Sequence, residues 1–324
     1  MAKRRGLLRL LDQREKLQDD ALEAFDANMS GLAENLGRRL ASVLGEDPDA
    51  IFPADGDDGF DIGVTDFETR LAGLSDTDQL RATVLISSLA EVEEFVEACG
   101  LDRARASMRE AVANISGVAE QTFEVQGISD ANGALDTVAA EALVGGFFET
   151  AFEEGLFGKG RRDTADRIKR ALSSSLGMVP LKELVENIAQ GEIDKIPRAV
   201  TEARTSLAEA DRVAHETVRR TLDPDGKKFL QAYLGPKDDN LVRPFCRHLV
   251  GKAFRVDVFA KANNAQTPSH PTISGGGYNC RHYVTAIPNS KTALKALGVV
   301  RGRPSDIDKA NKAAAAKRGR RRAK

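Results

Sequence analysis

Along the first two-thirds of the chain, apolar positions recur at steps of three and four, the spacing that lines one face of a helix. Leu22, Phe25, Met29, Leu32, Leu36, Leu40 and Val43 form the first run. Gly31 and Gly37 weaken that helix and allow a break near either, and Gly45 and Pro48 end it. A second helix opens at Ser75-Asp76-Thr77-Asp78, whose side-chain oxygens can accept from free backbone N–H groups. It continues through Leu80, Val84, Leu85, Leu89, Val92, Phe95 and Val96 and stops near Gly100. Leu101, Ala104, Met108, Val112, Ile115 and Val118 start a third, so two antiparallel helices joined by a short Gly-containing turn are the simplest packing. Gly127 to Gly133 is a turn-rich break, and Leu135 to Phe157 is apolar and helical with a weak point at Val144-Gly145-Gly146-Phe147.

Gly158-Lys159-Gly160-Arg161-Arg162 has the composition of a linker, which sets a domain boundary there. Beyond it, Asp163 can cap a helix to about Leu176, and Gly177 and Pro180 make a turn. Further helices cover Leu181 to Gln190 and Ala199 to about Leu222, with Ile193 to Arg198 as a connector. The last of these is polar and charged on one face, and Asp223-Pro224-Asp225-Gly226 ends it.

The pattern then changes. Phe229 to Leu234, Lys252 to Phe259 and Tyr283 to Ile287 carry the aromatic and β-branched residues of short strands. Thr267 to Pro271 and Gly275-Gly276-Gly277 are loop, and Ser290 to Gly298 is helical. Arg301 to Lys324 has no apolar periodicity and reads as disordered. The expected fold is therefore mainly α with a small α+β C-terminal domain. It divides into a helical N-terminal region for partner docking over 1–158, a helical part over 163–222, a small α+β unit over 223–290, and a helix with a basic tail over 291–324.

Composition agrees with a helical core: there is no Trp and aromatics make up 5 %, leaving Leu, Val, Ile and Ala to fill the interior. No run of apolar residues is long enough to cross a membrane. The basic start is broken by Arg9 and followed by Asp12 to Glu15, so a secretory leader is not expected. Three cysteines, Cys99, Cys246 and Cys280, are too few and odd in number for a secreted disulfide framework. The net charge of −2 excludes a general affinity for nucleic acid, but charge is unevenly placed. Lys317, Arg318, Arg320, Arg321, Arg322 and Lys324 put six cations in the last eight residues, a candidate contact for double-stranded DNA through phosphates. The Asp55, Asp57, Asp58 and Asp61 loop lacks the glycine and terminal glutamate of a calcium-binding loop and reads as a solvated acidic loop.

The most specific chemistry lies between Tyr233 and His282. Cys246-Arg247-His248 and Cys280-Arg281-His282 are two Cys-x-His units with 31 residues between them. On an extended chain, residues i and i+2 point to one side, so each unit can offer a thiolate and an imidazole to one tetrahedral zinc. One intervening residue is shorter than the two to four usual between paired zinc ligands. A Cys246–Cys280 disulfide and two buried thiols held by packing are the other readings. Cys99, at a helix end, reads as a small buried apolar residue. His215 and Glu216 on the charged helix read as surface residues, and His270 lies in the Pro-rich loop with no acidic neighbour in sequence.

The same segment resembles the C-terminal domain of the phage Mu F-like minor head proteins, the head-morphogenesis family of tailed phages. That family's pattern is a Tyr-x-Gly-Pro-like strand end, a Cys before a Leu-x-Gly-Lys-x-Phe run, a Gly- or Pro-rich loop, and Asn-Cys-Arg followed by Cys or His. Here it reads Tyr233-Leu234-Gly235-Pro236, then Cys246, Leu249, Gly251, Lys252 and Phe254, then Asn279, Cys280, Arg281 and His282. Upstream, Ala203-Arg204-Thr205 stands where the family carries an Ala-Arg-Thr-Glu-type helix, with Ser206 in place of Glu. Many members have a further Cys three positions before Cys246, where this chain has Arg243. The resemblance covers about Asp163 to Pro288. It implies a structural protein inside the virion head, assembled in the host cytoplasm, associated with the portal and with scaffold or major capsid protein, and acting in DNA packaging or ejection. It implies no enzyme.

The alternative is a nuclease or toxin-like enzyme built on the C-terminal motif. His248 and His282 would act as acid or base and Arg281 and Lys252 would stabilise a phosphate transition state. Some Mu F-like proteins carry such domains after the shared region, but 36 residues follow Pro288 here, too few for one.

Overall fold

The computed structural model describes residues 2–43, 96–126, 128, 144–175, 181–236 and 242–322. The protein is mainly α-helical, with one small mixed sheet near its C-terminus. The helices are α1 (Ala2–Val43), α2 (Asp102–Val125), α3 (Gly158–Ser175), α4 (Leu181–Ile193) and α5 (Ile196–Leu222). After α5 come β1 (Phe229–Leu234), α6 (Pro244–Leu249), β2 (Lys252–Arg255), α7 (Val256–Phe259), α8 (Pro271–Ser274), β3 (Tyr283–Pro288), α9 (Lys291–Leu297), β4 (Val300–Arg301) and α10 (Pro304–Arg322).

The chain forms two compact units, each assembled from separated segments. One contains Leu22–Met108 and Phe152–Val200. Its interior takes the stepped residues Phe25, Leu32, Leu36 and Leu40 of α1, with Met108, Phe152, Phe157 and Ile188. Gly31 and Gly37 do not interrupt α1, because burial of the stripe outweighs the glycine cost of about 1 kcal/mol each. At Gly100 a φ of 115°, which glycine adopts without penalty, kinks the helical stretch Glu97–Leu101 just before α2; the helix expected to pair with α2 lies almost wholly outside the described residues. Gly158 to Arg162 is not a linker but the first turns of α3, and Asp163 lies inside that helix rather than capping it. Phe157 and Ala165, buried on either side, hold those small and charged residues in helical register.

The other unit contains Met1–Ala21, Arg109–Ala151 and Thr201–Lys324. Its sheet has the order β3-β1-β2-β4, with β1 antiparallel to β2 and β3, and β4 parallel to β2. Asp223 turns α5 into β1: its carboxylate accepts from the backbone N–H of Lys227, Lys228 and Phe229 at 2.9–3.0 Å. Period-two alternation sorts β1 between the two faces of the sheet. Leu230 and Ala232 pack with Ala253, Ile287 and Val299 under Leu294 and Leu297 of α9. Phe229 packs on Phe123 and Val218, while Tyr233 enters a core with Phe245, Leu249, Phe254 and Phe259.

Three expectations for the C-terminal region are corrected. Lys252 to Phe259 is not one strand, since it turns helical at Val256, and β4 adds strand beyond Pro288. Arg301 to Lys324 is not without structure, because α10 runs to Arg322. Ile307, Ala310 and Ala314, at steps of three and four, are buried in the Tyr233 core. Alanine contributes so little apolar contrast that the stripe is invisible as periodicity. The Asp47–Gly63 loop, the helix from Ser75 up to residue 95, most of Gly127 to Gly133 and the start of the Leu135–Phe157 helix lie outside the described residues. Among the described residues, no helix is long and apolar enough to cross a membrane.

Candidate metal centre

Three elements bring the motif together. Tyr233 lies opposite Lys252 and Val284 in the sheet register, with its ring in the core. Cys246 sits on α6, which starts at Pro244 directly after Arg243. Cys280 and His282 lie in the extended stretch that leads into β3. The ligand atoms of Cys246, Cys280 and His282 all lie within 4.8 Å of one another, and all three residues are buried. Cys246 Sγ is 3.9 Å from Cys280 Sγ, and Cys280 Sγ is 3.6 Å from His282 Nδ1. The group can hold a metal ion.

Its surroundings are built around those atoms. His282 Nε2 is 2.9 Å from the Pro236 carbonyl oxygen, so the ring proton belongs there and Nδ1 is left with its lone pair towards the sulfurs. Gly276 N–H donates to Cys280 Sγ at 3.0 Å. A Cβ on Gly276 would stand 2.2 Å from Cys246 Sγ, so only glycine fits. The Tyr233 hydroxyl lies 3.3 Å from Cys246 Sγ and 3.7 Å from Cys280 Sγ.

Two arginines clasp the loop that carries Cys280. Arg212 of α5, itself buried, donates to the carbonyls of Ile273, Cys280 and His282. Arg243 donates to those of Gly276 and Tyr278, so it ties the loop down through hydrogen bonds. Asn279, whose φ is 54°, gives its N–H to Thr205 Oγ1 on α5 at 2.9 Å. The hydrogen bond from Cys246 pulls the Cys280 thiol well below its usual range against burial, and the Arg212 guanidinium pulls the same way. Cys246, as donor to Cys280 and buried, is pushed up. Burial and the two sulfurs hold the Tyr233 hydroxyl well above its usual range, so it is a phenol able to donate.

Compared with protein-family models, with curated proteins and with solved structures, the chain matches none.

Of the four expected ligands, His248 is not brought to the cluster. The i, i+2 rule holds for Cys280 and His282, which are extended, but Cys246 and His248 are on a helix, where two residues differ by about 200° around the axis. His248 instead offers its backbone oxygen to Lys252 Nζ at 2.8 Å. Both thiols are free, and so is Cys99, where burial in an apolar site pushes the thiol up to about 12. The groups of the nuclease alternative are dispersed: His282 is buried in the cluster, Lys252 is paired with Asp306 at 2.9 Å, and Arg281 is exposed. His215 and Glu216 are not surface residues. Glu216 is held by Arg219, Arg220 and Gln231, and His215 faces Thr285 at 3.3 Å and Asp211 at 3.7 Å. The charge pattern of α5 concealed this, because partners at i+3 and i+4 neutralise each other inside the fold. His270 caps α8 by accepting from Thr272 N–H. Lys317 to Arg322 belong to the end of α10, and Lys324 lies outside the described residues.

Sequence reasoning missed Arg212, Gly276 and the hydroxyl of Tyr233. A signal existed for Arg212: it continues the buried steps Ala208, Arg212, His215 and Arg219 of α5, where a solvated arginine does not belong.

Proposed function

We propose that the protein is a structural and assembly component of a tailed-phage head, a Mu F-like minor capsid protein that associates with the portal and procapsid. The reading rests on the motif resemblance over about Asp163 to Pro288. One observation carries it: three distant pieces of that pattern meet. The Cys before the Leu-x-Gly-Lys-x-Phe run lies 3.9 Å from the Cys of Asn-Cys-Arg, and the Asn beside it bonds to Thr205 of the Ala-Arg-Thr helix. Other residues of the pattern serve the same unit. Gly251 donates its N–H to the Tyr233 carbonyl, Lys252 ties β2 to α10 through Asp306, and Phe254 fills the core.

Within this reading the metal is a structural zinc. Tetrahedral zinc with Zn–S of about 2.3 Å and Zn–N of about 2.0–2.1 Å requires S···S and S···N edges of about 3.8 and 3.6 Å. The observed 3.9 and 3.6 Å match those edges, and a backbone carbonyl on the far nitrogen is the usual support for a ligating histidine. Zinc here staples a loop-rich unit to α5.

Co-expressed with the portal protein of the same phage, the chain should copurify with portal and appear at low copy in assembled heads. Absence from both would remove the reading. The basic end of α10 is the proposed DNA contact. Deleting residues 317–324 should leave portal association intact and flatten the salt dependence of DNA binding, by nearly one unit of slope for each phosphate that is no longer neutralised. An unchanged slope would exclude DNA as its partner.

A further inference from the structure

Cys246, Cys280 and His282 supply three donors, and a closed structural zinc site takes four. We infer that Tyr233 is the fourth ligand, coordinating through its Oη; the inference rests on the zinc reading above.

Position is the first reason. A Zn–O bond of about 2.0 Å beside Zn–S of about 2.3 Å gives a tetrahedral O···S edge of about 3.5 Å. Tyr233 Oη lies at 3.3 and 3.7 Å from the two sulfurs, on either side of that value. The ring cannot drift. It is fully buried, stacks on His282 with centroids 5.4 Å apart, and is flanked by Phe245 and Phe259 at 6.4 and 6.3 Å. The other nearby groups cannot serve: His248 is on a different side of α6, and Arg243 has no lone pair to give. On the side of Gly276 the peptide lies so close to Cys246 Sγ that even a Cβ is excluded, which leaves no room there for a water ligand.

Charge is the second reason. Arg212 is buried, and among the described residues it forms no ion pair; its donors go to backbone carbonyls. Glu209 on the same helix acts on it without pairing. A buried guanidinium that makes no direct ion pair favours negative charge placed beside it. Two thiolates only neutralise a zinc ion, whereas two thiolates and a phenolate give a cluster of charge −1 beside that guanidinium. The ion itself reverses the local preference for a neutral phenol, as bound cations do. On binding, Cys246 and Cys280 coordinate as thiolates and Tyr233 as phenolate, their protons going to solvent, and His282 coordinates through Nδ1.

The chain has no Trp and three Tyr, so a tyrosinate band in the near ultraviolet is unobscured. Full-length protein stripped with a chelator and titrated with zinc should bind about one ion and develop that band. Tyr278→Phe and Tyr283→Phe should keep it. Tyr233→Phe should lose it, bind zinc at least about tenfold more weakly, and release about one proton fewer per ion in calorimetry across buffers. Persistence of the band in both other Tyr variants assigns it to Tyr233 even if Tyr233→Phe does not fold. Stoichiometric zinc without a tyrosinate band, or unchanged affinity in Tyr233→Phe, would overturn the inference and leave the zinc reading standing. No zinc binding by the wild type would overturn both.

Discussion

Asp211 and Arg212 are neighbours on α5, yet they serve two buried clusters of opposite character. Arg212 faces the Cys246, Cys280, His282 and Tyr233 group, where every buried side-chain nitrogen and oxygen has a partner. Asp211 meets Arg14 and His215. There, all three guanidinium nitrogens of Arg14, both Asp211 oxygens and His215 Nε2 lack a hydrogen bond, although Arg14 and Asp211 form an ion pair and Arg14 lies over the Tyr283 ring. Burial pulls the Arg14 guanidinium down to about 9, opposed by Tyr283 and reinforced by Arg212. Burial alone therefore does not define a site. A satisfied network rigidifies the elements around it, while a half-satisfied one stores a penalty that one charge pair must offset.

Removing one partner from the half-satisfied cluster should have the largest effect. Asp211→Ala leaves Arg14 buried and uncompensated and should destabilise the unit by about 3–5 kcal/mol, whereas Arg14→Met with Asp211→Leu should be near neutral. Urea unfolding of both variants checks this, and a single-variant loss below about 1 kcal/mol would mean that the pair is solvated. In the satisfied cluster, overpacking should act next. Gly276→Ala drives a methyl onto Cys246 Sγ and should cost about 1–3 kcal/mol together with metal binding. Wild-type zinc content in that variant would show that the loop can move away.

The smallest effect is a pH slope. Burial, with Arg14 beside it, holds His215 well below its ordinary 6.5, so the folded chain keeps it neutral while the unfolded chain takes up a proton below that value. Stability should be full above about pH 6.5 and fall below it by up to ~1.4 kcal/mol per pH unit. His215→Gln should flatten that fall, leaving the weaker contribution of half-buried His270, which is also lowered by burial. Glu216 enters only below its ordinary 4.5, because burial raises it but Arg219 and Arg220 outweigh burial. A slope unchanged in His215→Gln would place the proton elsewhere.

Legibility in the sequence followed apolar contrast. The stripes of α1 and α2, the strand at Phe229 and the turn at Asp223 are readable, because Leu, Phe and Val stand out against charge at fixed spacing. The burial of α5's charged face is not, since Glu216 and Arg219 look solvated until their mutual pairing is seen. The anchoring of α10 is not, because Ala310 and Ala314 carry little contrast. Half of the candidate site is legible: Cys246, Cys280 and His282 follow from the motif, and His248 is misplaced when a helix is taken for a strand.

Composition and short-range spacing were enough to make this chain largely helical, to change its character after Leu222, and to put its two Cys-x-His units in the stretch from Tyr233 to His282. Those properties act along the chain and need no distant partner. Which of those groups meet was settled in three dimensions. The fold of a six-residue helix turned His248 away, the antiparallel register of β1 and β3 brought Tyr233 to His282, and Arg212 reached the loop from α5, 70 residues away in the chain. Such encounters depend on long-range closure. Their free energy is spread over buried area and satisfied carbonyls, which no local pattern of residues encodes.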